Sequence, residues 1–80
     1  MKEVVFTPAG LRQWTKLSAE VRSRIRRKLM EFAETRQGDV KRLKDRRGVR
    51  LRVGDWRLIF EEGPDQIIVY AVGHRREIYD

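Results

Sequence analysis

The sequence predicts an α+β fold in the order β-α-α-β-β-β, with a helical hairpin packed on one face of a twisted, antiparallel-rich sheet. Three observations predict it. Apolar residues recur at helical spacing from Pro8 to about Thr35. After Gly38 the period drops to two, and Val49, Leu51 and Val53 alternate with Arg50 and Arg52. Turn signals at Gly54-Asp55 and Glu62-Gly63-Pro64-Asp65 then divide this half into short extended runs. Eighty residues support one domain, 1–80, with a modest core.

Lys2 to Thr7 is a β-branched run and reads as the first strand. Thr7 can cap a helix whose first position suits Pro8. Leu11, Trp14 and Leu17 follow at helical spacing and should pack inward. Ser18 is a second cap, with Glu20 in the first turn where the helix dipole favours it. The helix after it carries Val21, Ile25, Leu29 and Phe32 on one stripe, with Arg22 and Arg26 on the opposite face. It should fade between Thr35 and Gly38. Val40 and Leu43 anchor a basic connector, Lys41 to Arg47. Val49–Val53 and Trp56–Glu61 then form a hairpin across Gly54-Asp55. Gln66 to Val72 is apolar at nearly every position and reads as a central strand covered on both faces. Residues 73–80 close the chain as an irregular segment or a short strand. Trp14 and Trp56 lie on apolar stripes and read as core.

Nineteen Lys and Arg against twelve Asp and Glu give a net charge of +7. That excess suits a polyanionic partner. Arginine dominates it, and guanidinium forks hold phosphate in pairs and stack on bases, which favours nucleic acid. There is no cysteine, which excludes disulfides and thiolate metal sites. No apolar run approaches the length of a membrane span, and no signal peptide is legible, so a cytoplasmic protein with no membrane partner is expected. Residues 41–57 concentrate the charge, with eight Lys and Arg against two Asp. Strand alternation puts Arg50 and Arg52 on one side. Arg57 begins the return strand close by, and Arg75 ends the last one. A converging arginine cluster is self-repulsive and implies a counter-anion, most naturally RNA. Without that convergence, Arg50 and Arg52 would read as charges that blunt an exposed strand.

The run Leu51-Arg52-Val53-Gly54-Asp55-Trp56-Arg57-Leu58-Ile59-Phe60 and the later Val72-Gly73-His74-Arg75-Arg76-Glu77-Ile78-Tyr79 resemble the RelE branch of the RelE/ParE toxin superfamily. The resemblance covers essentially the whole chain. It implies a RelE-like fold and the toxin of a bacterial type II toxin–antitoxin pair. It also implies a ribosome-dependent mRNA endonuclease that cuts the codon in the A site. Its partners would be the ribosome, mRNA and an acidic, partly disordered antitoxin. By motif position, Arg57, Arg75 and Tyr79 correspond to catalytic residues. Lys41, Lys44, Arg46, Arg47, Arg50, Arg52 and Arg76 are read as RNA-binding. RNA can be cut by its own 2′-OH if the protein aligns the attack, stabilises the phosphorane and protonates the leaving 5′-oxygen. Arg57 and Arg75 suit the second task, and Tyr79 can stack on a base or bond near the 2′-OH. No metal or other cofactor is called for.

The chain departs from that pattern at one point. RelE-type toxins carry a lysine pair on the first hairpin strand, and one of those lysines is a candidate base. Here that strand offers Arg50 and Arg52, and arginine is a poor base at neutral pH. Lys44 or Lys41 could substitute, or the ribosome could complete the site. His74 is another possible base or acid, but alternation turns it away from Arg75. The alternatives are a ParE-type inhibitor of DNA gyrase and a degenerate toxin that binds without cutting.

Overall fold

In the computed structural model, which describes residues 2–44 and 48–78, two side-chain caps set the helical hairpin. Thr7 Oγ1 accepts from the Gly10 N–H at 3.1 Å and opens α1 (Pro8–Thr15). Ser18 Oγ accepts from the Val21 N–H at 3.2 Å and opens α2 (Ala19–Thr35). The break between them falls at Lys16–Ser18, as the sequence predicts. Helix α2 ends where Arg36 turns left-handed, at φ 64°. A non-glycine residue there is strained. The strain is offset because Arg36 sends both terminal nitrogens to Glu62, at 2.8 and 2.9 Å, and lies over the Phe32 ring.

The strands are β1 (Glu3–Phe6), β2 (Asp39–Arg42), β3 (Val49–Val53), β4 (Trp56–Glu62) and β5 (Gln66–His74). They form one sheet in the order β1-β5-β4-β3-β2. β1 runs parallel to β5, with Val4 beside Ile67, and the other pairs are antiparallel. The core fills the space between one sheet face and the helices. Ile25, Leu29 and Phe32 of α2 and Trp14 of α1 meet Leu51, Val53, Leu58, Phe60, Ile67, Val69 and Val72. Phe32 and Phe60 pack edge to face, with ring centroids 5.9 Å apart.

Four expectations are corrected. Leu11 does not pack inward but is 48% exposed. α1 lies so close to β5 that a Cβ on Gly10 would stand 2.6 Å from the Val69 carbonyl oxygen. That approach turns Gly10 and Trp14 inward and Leu11 out. Arg22 and Arg26 lie on the flank of α2 that meets α1, not on the opposite face. Arg22 donates to the Leu17 carbonyl, and Arg26 lies over Trp14. The first part of the basic connector is strand, because Asp39–Arg42 pairs with β3 at the sheet edge. β5 is interior but covered by helices on one face only, since Tyr70 is exposed. A bulge where β5 meets Ile59 and Phe60 shifts the register, so Val69 and Val72 both reach the core. That parity change explains why β5 reads as apolar throughout.

The edge of β5 beyond β1 is closed by α1. Gln13 Oε1 accepts from the Val72 N–H at 2.9 Å, and Thr7 Oγ1 donates to the Tyr70 carbonyl. Among the described residues, no helix is long and apolar enough to cross a membrane.

Candidate functional site

The helices leave the other face of the sheet open, and strand register determines what stands on it. Leu51, Leu58 and Val72 form a cross-strand row that points to the core. The rows on either side of it must therefore point away from the helices. One of these is Asp39, Arg52, Arg57 and Gly73, on β2, β3, β4 and β5. The other is Lys41, Arg50, Ile59 and Ala71. Ile59 is only 1% exposed and stands apart from the core beneath the helices. It lies directly opposite half-buried Arg50, and long guanidinium stems suit such an apolar floor.

Arg57 occupies the centre. Its Nη1 donates to the carbonyls of Gly54 and Trp56, both at 3.1 Å, which ties the side chain back to its own turn. Gly54 makes that turn possible, with φ at 60°. Burial pushes the Arg57 pKa below its ordinary value. The charges of Arg52, Arg50 and Arg75 push the same way, and Asp39 opposes them. Guanidinium keeps its proton at neutral pH. Among the described residues, three arginines and one aspartate therefore act on the Arg57 charge, and the balance is positive.

Among the described residues, two carboxylates border the cluster. Asp39 Oδ2 lies 2.8 Å from Arg52 Nε. Asp55 Oδ1 lies 3.8 Å from Arg75 Nε, and the Asp55 carbonyl accepts the Arg75 N–H at 2.8 Å. The second contact fixes the turn after β5 against the β3–β4 turn. Ile78 completes the docking by lying over Gly73, where an added Cβ would meet Ile78 Cγ1 at 3.1 Å.

Arg50, Arg52 and Arg75 are thus brought within electrostatic reach of Arg57, and Lys41 shares the face of Arg50 and Arg57. Lys44 lies exposed past the end of β2, and Arg76 lies exposed in the turn after β5. His74 stands on the helix side of the sheet, its ring edge-on to Trp56 at 5.5 Å. Its Nδ1 accepts from the Arg76 N–H at 3.3 Å. The direct strand pairing of Trp56 with His74 and of Arg57 with Gly73 puts His74 and Arg57 on opposite faces. Arg46, Arg47 and Tyr79 lie outside the described residues. Asp39 is the site residue that sequence reasoning missed. Its signal would have been the pairing of a short polar strand with β3, which places Asp39 opposite Arg52.

A family model described as the ParE toxin of type II toxin–antitoxin systems, parDE, matches residues 4–79. The mRNA interferase toxin RelE of Escherichia coli K12 is 26% identical over 81 residues, spanning 92% of this chain and 85% of that protein. The RelB–RelE antitoxin–toxin complex of Methanococcus jannaschii contains a chain 27% identical to this one, with a TM-score of 0.71 and 95% of each chain covered. The YoeB dimer of Staphylococcus aureus shares the fold at 13% identity, with a TM-score of 0.74 over 91% of this chain and 95% of that one.

Proposed function

This chain belongs to the ParE toxin family of type II toxin–antitoxin systems, within the RelE/ParE superfamily, and from that premise we propose that it is a ribosome-dependent mRNA endonuclease. The observation that carries this reading is Arg57, held on an open sheet face in the combined field of Arg50, Arg52 and Arg75. Such a face suits a phosphodiester whose charge grows in the transition state. The similarity to an mRNA interferase toxin over nearly the whole chain supports the choice of RNA.

In this mechanism the 2′-OH of one nucleotide attacks the adjacent phosphorus, and the bond to the 5′-oxygen breaks. Arg57 and Arg75 hold the equatorial oxygens of the phosphorane, and Arg50 and Arg52 hold the flanking backbone. The 2′-OH proton needs an acceptor and the 5′-oxygen needs a donor. Lys41 is the candidate for proton transfer, because it shares the arginine face directly beside Arg50. Lys44 is the next candidate. His74 is disfavoured, since it stands on the other face with Nδ1 already accepting a hydrogen bond. Tyr79 retains the role of base stacking or of bonding near the 2′-OH. The ribosomal A site supplies the mRNA in extended form. The physiological partner is an acidic antitoxin that neutralises the same surplus of charge.

The test is to induce the chain alone and map mRNA 5′ ends in translating cells. In-frame cuts within codons that vanish with Arg57→Ala support the reading. DNA damage without such cuts selects gyrase inhibition instead, which the ParE description of the matching family keeps as the second reading.

A further inference from the structure

Arg24 lies in the middle of α2, far from the arginine-rich strands in sequence, and nothing local marks it out. In the fold it reaches the tip of the β3–β4 hairpin. A Cβ placed on Gly54 would stand 3.1 Å from Arg24 Nη2. The same two-residue turn already holds two other arginines. Arg57 donates to the Gly54 carbonyl, and Arg75 is tied to Asp55 through both its backbone and its side chain. Guanidinium groups from the helix layer, the sheet and the C-terminal turn therefore meet around Gly54-Asp55. Asp55 is the single carboxylate of that turn. Among the described residues Arg24 makes no ion pair within 4.0 Å, and it is exposed.

We propose that Arg24 is a further RNA-binding residue, which extends the site around the hairpin tip to the phosphate of a nucleotide flanking the cleaved bond. The inference rests on the reading of the open face as an RNA site and adds a direction to it. One end of the RNA strand leaves the sheet face past Gly54, towards the helix layer. Glycine at the tip keeps the space that the Arg24 guanidinium enters. Arg24 acts on binding and takes no part in the chemical step, because the residues assigned to phosphorane stabilisation are Arg57 and Arg75.

The test is the affinity of the full chain for a short, labelled single-stranded RNA, read by fluorescence anisotropy over a range of salt concentrations. Arg24→Ala should weaken binding about three- to tenfold and reduce the salt slope by about 0.7, the loss of one phosphate contact on a single strand. Arg24→Lys should fall in between. Arg26→Ala is the control. It removes the same charge from the same helix, but on the flank over Trp14, 5.6 Å from the ring centroid. Equal effects of Arg24→Ala and Arg26→Ala would reduce the role of Arg24 to net charge and overturn the proposal, while leaving the open face intact as an RNA site. An Arg24→Ala protein that binds normally but cuts at a reduced rate at saturating substrate would also overturn it. Failure of the unmutated chain to bind RNA would overturn both this proposal and the function it rests on. Arg24→Ala should keep the thermal midpoint of the unmutated chain, since its side chain is exposed, whereas Arg26→Ala, which loses its contact with Trp14, should lower it slightly.

Discussion

The cluster around Glu62 and the cluster around Arg57 use the same chemical groups to opposite ends. Glu62 gathers two terminal nitrogens of Arg36, at 2.8 and 2.9 Å, and the Lys2 ammonium at 2.7 Å. The Arg36 hydrogen bonds hold its carboxyl well below its ordinary value of 4.5, at about 2. The pairing joins the segment before β1, the end of α2 and the end of β4. At the Arg57 cluster the balance is reversed. Among the described residues, Asp39 and Asp55 each engage one arginine, and at the central Arg57 three like charges outweigh the opposing charge of Asp39. The direction of the shift on the central residue distinguishes the two roles. A carboxylate stabilised in its charged form belongs to the fold. A guanidinium destabilised in its charged form, by burial first and by its arginine neighbours second, suits the role proposed for Arg57, that of holding an anion from outside.

The largest expected effect breaks the second cluster. Arg57→Ala should lower mRNA cleavage in a translating extract by about 100- to 1000-fold, the usual cost of losing a donor to a developing oxyanion. Its thermal midpoint should hold or rise as repulsion is relieved. Cleavage at the unmutated rate would separate the arginine face from the activity. Breaking the first cluster should do the reverse. Glu62→Gln should cost about 1–2 kcal/mol in urea unfolding while leaving RNA affinity unchanged. Its acid response sharpens the contrast. The folded pKa of Glu62 lies below the unfolded one, so its stabilisation is complete above about pH 4.5 and fades as the pH falls towards 2. Urea midpoints measured across that window should fall more steeply for the unmutated chain than for Glu62→Gln. The smallest effect concerns Asp39→Asn. Loss of an exposed pair should change stability by less than about 1 kcal/mol. It should tighten RNA binding by less than about tenfold at low salt, because Arg52 is released to the ligand. Weaker binding would show instead that Asp39 positions Arg52 for it.

Much of this was legible in the sequence where local chemistry and periodicity agree. Thr7-Pro8 and Ser18 cap the helices as their side chains allow, and the Ile25–Leu29–Phe32 stripe faces the core. The alternation of Val49, Leu51 and Val53 with arginine placed the basic residues on the face away from the helices. The misses have physical causes. β2 is a four-residue edge strand with one half-buried side chain, Val40, so its period is too short to read. The bulge in β5 hides its alternation, and backbone contact at Gly10 rotates α1 away from its apolar stripe. Asp39 and Arg24 reach the site only through tertiary register, which no local pattern carries.

The parallel pairing of β1 with β5 also constrains the order in which the protein can form. Among the described residues Glu3–Phe6 pairs only with Gln66–Val69, so β1 has no neighbour in the sheet until β5 has been made. Contacts this distant in sequence slow folding and come late in it. The hairpin of β3 and β4 can form early, but the turn that carries Arg75 docks onto it only after β5 has joined the sheet. The arginine cluster is therefore assembled by completion of the fold, and a partly synthesised chain carries the basic residues without the arrangement that makes them a site.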